Sequence, residues 1–530
     1  MLTRLKVSGF KNLIDVDVSF GPFTCIAGTN GVGKSNLFDA ITFLAALADK
    51  PLAEAAQGIR DEHNRSTDIR SIFFNVQNVM ADDRVRFEAE MLVPREGADD
   101  LGQRAVATTT FLRYTLELGY RQDPNQQRSE LFVQKEELNH ITSSKAKDHL
   151  KFPHTAEWQK SVVTGRRSGK AFISTTEEGS TRKIKLHQDK GVGGKNRGGR
   201  TWEILADSLP RTVLSTVNAV ESPTALLARR EMQSWRLLQL EPSALRMPDS
   251  FNAPTHIGAD GSHLAATLHY LARAHQRNGN GAGDEDAIYC QVANRLANLS
   301  DEVKAVEIDI DNRRELKTLC VVDRNGSHHA ARALSDGTLR FLALAILEMD
   351  SNAHGLLCFE EPENGIHPQR IAAMLRLLKD LAVDPECEIG IDNPLRQVIV
   401  NTHSPSVVAN VDEGDLLVAV PKEIPHTIEG RPSRCRAVEF SGLAGTWRHK
   451  AELIARPISL GQLQAYLDPI QLHAGQDTEV GEESATTSDV ADNASGSAAK
   501  PGLTPAASRR RRVKDRDDVR QMFLRLTDSE

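Results

Sequence analysis

Aromatic side chains are scarce in this chain: Phe, Trp and Tyr make up only 5% of its 530 residues. Long apolar runs are missing as well. The longest, such as Phe43 to Ala48 and Phe341 to Leu347, fall far short of the roughly 20 residues a membrane helix needs, which excludes a spanning segment. The opening MLTRLKVSGFKNLIDV alternates apolar and polar residues as a strand does. It has neither the apolar core nor the small-residue cleavage site of a secretory signal, so the expected location is the cytoplasm. Six cysteines (Cys25, Cys290, Cys320, Cys358, Cys387, Cys435) stand far apart with no CxxC pair, which excludes a zinc site or a disulfide framework and predicts reduced thiols. Positive charge is not in excess: 65 Lys and Arg against 72 Asp and Glu leave a net charge of −7. Contact with nucleic acid would therefore have to come from local basic patches. No heptad persists beyond a few turns, so a long coiled-coil arm is not expected.

What is present reads as two or three structural units. Strands are expected at 2–7, 14–20 and 23–27, then a glycine loop and a helix from Ser35 to about Lys50, stopped by Pro51. FFNVQNVMADDRVRFEAEMLV and TTTFLRYTLEL alternate like half-buried strands. The expected division is residues 1–120 as the first half of a catalytic lobe and 121–300 as an inserted, mainly helical region with a basic loop. Residues 301–472 would be the second half of the lobe, 473–508 a disordered linker and 509–530 a basic, amphipathic tail. In the second half, VKAVEIDID and LKTLCVVDR predict a hairpin and Asn325-Gly326 a further tight turn. The α/β alternation beyond Ser335 predicts a parallel sheet.

Four segments carry chemistry. Gly28-Thr29-Asn30-Gly31-Val32-Gly33-Lys34-Ser35 fits G-x-x-x-x-G-K-S between a buried strand and a helix. Its glycines let backbone N–H groups face phosphates, and the helix adds its positive end. Lys34 would bridge β- and γ-phosphates, and the Ser35 hydroxyl would ligate Mg²⁺. Leu356-Leu357-Cys358-Phe359-Glu360-Glu361 is an apolar strand ending in two acids. Either it is a solvated strand edge, or Glu360 holds Mg²⁺ through its water shell and Glu361 orients the attacking water. Ser335 in LSDGTLR starts an amphipathic helix, as a plain N-cap or as a phosphate contact. His403 in VIVNTHSP follows a buried strand, as a structural histidine or as a γ-phosphate sensor.

In that order, GTNGVGKSN, LSDGTLR, EEPENGIHP and NTHSP resemble the ABC-type ATPases of the SMC, RecF and OLD-like group, most nearly bacterial "AAA family ATPase" proteins of the AAA-21 type. The likeness covers about the first 90 residues and 300–460, and WRLLQLEPSALRMPD and GADGSHLAATLHYL in the insert are similar to that type too. It implies an α/β fold: a P-loop NTPase head of ABC type with a β-rich N-terminal lobe, a helical insertion and a disordered C-terminal linker. It also implies ATP and Mg²⁺ as cofactors and an ATP-sandwich homodimer or higher oligomer, in which Ser335 and Gly337 of one copy contact nucleotide held by the other. Pro362-Glu363-Asn364-Gly365 resembles the D-loop. Phe10-Lys11-Asn12 resembles the segment on the base side of the nucleotide, which places Lys11 and Asn12 with Gly28, Asn30, Gly31, Gly33 and Asn36 among the binding residues.

The departures are Asp336 in place of a signature glycine, Glu360 in place of the usual Walker B aspartate, and no Q-loop glutamine beyond a weak candidate, Gln77. No TOPRIM nuclease unit is expected, Glu413 reading as a turn residue. A basic segment, from Arg166 to Arg200, could grip DNA or be a solvated loop. Arg509 to Arg512 could serve as a nucleic-acid tail or a docking peptide. The resemblance suggests an ATP-driven switch at DNA, in genome maintenance or antiphage defence, with a separate effector or nuclease. The alternatives are an energy-coupling subunit of a membrane transporter and an ATP-binding scaffold with little turnover.

Overall fold

A computed structural model describes residues 1–59, 68–76, 79–80, 83–123, 128–165, 171–179, 181–189, 201–278, 286–299, 302–428, 431–451, 456–459, 461–463, 511–517 and 519. The expected linker at 473–508 and Gln77 lie outside them. Two sheets and the helices between and beside them make the body. The first is six-stranded, in the order Arg236–Leu238, Gly355–Glu360, Arg396–Thr402, Phe23–Ala27, Leu416–Ile428, Arg431–Ser441. All its pairings are parallel except the last, an antiparallel hairpin at the edge.

Its central strands are apolar on both faces, as a sheet covered on both sides requires. The period of two is visible in the packing. Leu356, Cys358, Ile26 and Ile399 enter a core with the helix Lys34–Leu47, while Leu357, Phe359, Cys25 and Val398 enter a second core under the helices Asp336–Met349 and Ile371–Leu381.

The second sheet is antiparallel and eight-stranded: Thr201–Leu205, Thr181–His187, Ile173–Glu178, Arg128–His140, Phe111–Asp123, Arg84–Leu92, Leu2–Ser8, Val16–Ser19. It covers the outer side of Lys34–Leu47, where Phe10, Phe43 and Phe87 meet at ring separations of 5.6 to 5.8 Å. A smaller sheet pairs Val303–Asp311 with Leu316–Asp323, the expected hairpin, and Asn325-Gly326 turns into His328–Ala330.

The insert differs from the expectation in its first half. Helices do fill its second half, at Pro223–Gln233, Leu264–Asn278 and Asp286–Ala297, but up to Leu205 it contributes four strands to the large sheet. The reason lies in Arg128–His140. Leu131 and Val133 point inward, a bulge between Val133 and Lys135 shifts the register, and Glu136 and Leu138 then point inward. A bulge plus a buried acid erases the alternation that marks a strand.

The basic residues on these strands are neutralised by neighbours. Arg182 pairs with Glu177 (3.0 Å), Lys183 with Glu178 (2.9 Å) and Lys185 with Glu203 (2.9 Å). Arg166, Arg167, Lys170, Lys190, Lys195, Arg197 and Arg200 lie outside the described residues. Among those described, no helix is long and apolar enough to cross a membrane.

Candidate nucleotide site

The parallel strands end together at one edge, and the chemistry gathers there, as in open α/β sheets generally. From Phe23–Ala27 the chain turns through Gly28 to Gly33 into the helix Lys34–Leu47. Gly33 has φ +116°, and a Cβ there would lie 2.4 Å from the Asn12 amide nitrogen, so only glycine fits. That amide donates to Val32 O (2.9 Å), and the Asn12 Oδ1 accepts from Asn36 (2.8 Å), bracing loop to helix. Lys11 Nζ bonds Asp39 of the same helix at 2.7 Å. Lys34 is buried and donates to the carbonyls of Gly28 (2.6 Å) and Thr29 (3.0 Å). Burial lowers its pKa, opposed by the charges of Glu361, Glu363 and Glu360. The first helical turn carries no acid, leaving its positive end unopposed for an anion.

Gly355–Glu360 delivers the acids. Glu360 Oε2 accepts from Gln239 Nε2 at 2.6 Å, and Glu360 Oε1 accepts a longer bond from Asn401 (3.4 Å). Glu361 has φ +46°, a left-handed conformation unusual for a side-chain-bearing residue, held by its N–H donating to Asn401 O (3.1 Å) and Oδ1 (3.2 Å). Its carboxylate meets His403 Nδ1 at 2.6 Å and accepts from Asn364 at 2.9 Å. Glu363 is buried, hydrogen-bonds the Thr402 hydroxyl and keeps one oxygen without a partner among the described residues; burial raises its pKa.

The signature segment takes a different place. Ser335 caps Asp336–Met349, accepting from Thr338 N at 3.2 Å, and is itself exposed. Gly337 is buried where a Cβ would stand 2.4 Å from Gly365 O, so its lack of a side chain seats the helix on the D-loop-like turn. Asp336 pairs with Arg246. Arg340 donates to Leu240 O (3.1 Å) and to Asn364 O.

A cavity of about 1170 Å³ opens between these parts. Lys11, Asn12, Asn30, Gly31, Gly33, Lys34, Ser35, Asn36, Glu360 and Glu361 line it. Gly28, His403, Ser335 and Gly337 are outside its wall, Gly28 reached by Lys34 and His403 by Glu361. The wall also holds residues that sequence reasoning missed: Gln239, Asn401, Arg340, Arg70 and Tyr120. Gln239 lines the cavity and donates to Glu360, and sequence reasoning had offered only Gln77 as a candidate glutamine for such a site. The signal was WRLLQ, a short strand with Gln239 directly after its last residue, Leu238, but three strand residues are too few to read as a central element without their neighbours.

Among the described residues no cluster of three or more His, Cys, Asp and Glu could hold a metal alone. Ser35 and Glu360 fit Mg²⁺ bound the way it usually is beside phosphates, through one or two protein oxygens, waters and substrate oxygens.

Parallel strands that converge on a phosphate loop, paired acids and a strand-end histidine define an ABC-type P-loop ATPase head. The family model AAA_21, described as "AAA domain, putative AbiEii toxin, Type IV TA system", matches residues 23–101 and 262–409, and over these segments the chain is similar to that family.

The chain is also similar to "Structural maintenance of chromosomes protein 1" of Schizosaccharomyces pombe, 36% identical over 75 residues, 14% of this chain and 5% of that protein. A second relative is "DNA replication and repair protein RecF" of Bacteroides thetaiotaomicron, 32% identical over 97 residues, 18% of this chain and 22% of that protein. The chain thus spans a small part of either relative's length. Two solved structures align with it at low scores. One is an SmcHead bound to the C-winged helix domain of ScpA (TM-score 0.39, 15% identity, 82% of this chain and 97% of that one). The other is an Smc head domain with an extended coiled coil bound to the C-terminal domain of ScpA, from Pyrococcus furiosus (0.40, 13%, 85% and 98%).

Proposed function

We propose that the chain binds and hydrolyses ATP in an ATP-sandwich dimer and works as a switch at DNA beside a separately encoded effector or nuclease. What carries the ATPase reading is one meeting point. Lys34, Gln239 and the pair Glu360-Glu361, from three separate stretches of sequence, line the same cavity, and His403, from a fourth, hydrogen-bonds Glu361 at its edge. In this reading the loop N–H groups and Lys34 bind the phosphates, and Lys11, Asn12 and Tyr120 face the rest of the nucleotide. Mg²⁺, held through Ser35 and Glu360, would neutralise phosphate charge. Gln239 and Asn401 each donate to one oxygen of Glu360 and so fix the orientation of its carboxylate. Glu361, aimed by His403 and Asn364, accepts the proton of the attacking water and positions it.

The dimer is supported by the exposed Ser335, which is outside the cavity of its own chain and so free to meet a partner's nucleotide. DNA is supported by likeness to a chromosome-maintenance protein and a DNA replication and repair protein, since the described cations of the basic stretch are already paired. Gln239 removes one objection to a transporter subunit. The insert, built as four more strands on the large sheet, still speaks against it.

The test is phosphate release by wild type and Glu361→Gln, with and without duplex DNA, alongside molecular mass with ATP. The variant should lose about 100-fold or more in turnover and accumulate as an ATP-bound dimer. Unchanged turnover would remove Glu361 from the chemistry.

A further inference from the structure

The chain returns to the ATPase lobe at its far end. Arg511–Asp517 and Val519 lie along the turn that follows the short helix Pro405–Asn410, and that helix begins two residues after His403. The contact is laddered. Arg512 bridges Asp412, Val513 N donates to Val411 O (3.0 Å), and Glu413 N donates to Arg511 O (3.0 Å). Side chains lock it. Arg516 meets Glu413 (3.0 Å) and Ala444 O (3.1 Å), Arg511 reaches Glu413 at 3.5 Å, and Lys514 bonds Asn410 Oδ1 at 2.7 Å. Val513 and Val519 are fully buried in the core that holds Val407, Val408 and Val411.

A six-residue helix has little stability of its own and takes its position from what packs on it. Lys379 holds the same turn from the other side through Asp412 and, at 2.7 Å, Asp415. The C-terminal residues supply the second grip. We propose that residues 511–517 and Val519 form a clasp that fixes Pro405–Asn410 and so holds His403 against Glu361, making ATP turnover depend on this segment of the chain. This rests on the ATPase reading of the site. It makes Val513 and Arg516 positioning residues, since neither lines the nucleotide cavity. The segment read from sequence as either a nucleic-acid tail or a docking peptide is then a docking peptide for its own lobe, and Glu413 is its receptor as well as a turn residue.

The test uses full-length protein carrying Val513→Asp or, separately, Arg516→Glu, which sets a second acid against Glu413. In both, amide exchange at 403–415 should quicken and kcat should fall about fivefold, with nucleotide Kd unchanged because the phosphate loop is untouched. A synthetic peptide of residues 509–530, added in excess, should restore kcat. The inference is overturned if exchange and kcat match wild type in both variants, or if kcat falls and the peptide does not restore it. If wild type releases no phosphate, the ATPase reading fails, while the exchange measurement still decides whether the clasp exists.

Discussion

Glu361 is held at φ +46° by two acceptors on Asn401, and its carboxylate is gripped by His403 and Asn364. Backbone strain of this kind costs about 1–3 kcal/mol and persists where the surroundings over-determine it. Gln239 does comparable positioning work on Glu360, through a charge-assisted bond of 2.6 Å. Gln239→Ala should therefore lower kcat by about 10-fold or more while ATP affinity, set by the loop and Lys34, changes little; a loss of affinity with kcat intact would reverse that assignment. The loop, the acids and His403 were legible in the sequence because each is a run of adjacent residues with its own local geometry. Gln239 and Asn401 were not, because their roles come from which strands lie side by side.

Among the elements, the strand Arg128–His140 is the one whose sequence misleads, and Glu136 is why. Its carboxylate is fully buried and accepts from Val213 N, Leu214 N (2.8 Å each) and the Tyr114 hydroxyl (3.1 Å), tying the large sheet to the segment that leads into Pro223–Gln233. Burial outweighs those bonds and raises its pKa from 4.5 to about 7. A folded pKa above the unfolded one means the native state binds the proton more tightly. The stabilisation is therefore full below pH 4.5 and is lost as pH rises to about 7. Its size is on the order of 3 kcal/mol. Glu136→Gln, which cannot ionise, should flatten that stretch of the stability-pH profile: it should be less stable than wild type at low pH, because its amide N–H groups would face the N–H of Val213, and the deficit should shrink as pH rises to about 7. Chemical denaturation at a series of pH values checks this, and a variant profile parallel to wild type would assign the pH dependence elsewhere.

For the whole molecule, the question is whether one chain completes its own site. Ser335 is exposed and outside the cavity, while Lys34 is inside it. If a second copy supplies Ser335, then Lys34→Ala and Ser335→Arg proteins, each inactive alone, should regain activity when mixed. The mixed dimer pairs an intact loop from one variant with an intact signature from the other. Activity would stay at the level of the separate variants if each site were completed within one chain.

The sequence by itself picked out the glycine loop, the acid pair, the helix start at Ser335 and the strand-end His403, because each is written in consecutive residues whose spacing dictates a turn, a strand end or a helix start. Tertiary structure alone decided that Gln239 joins Glu360, that Glu136 is an interior residue, and that residues 511–517 and Val519 rest beside the helix Pro405–Asn410. Those contacts link positions 77 to more than 100 apart, where strand order, a bulge and burial choose the neighbours and no local pattern records the choice.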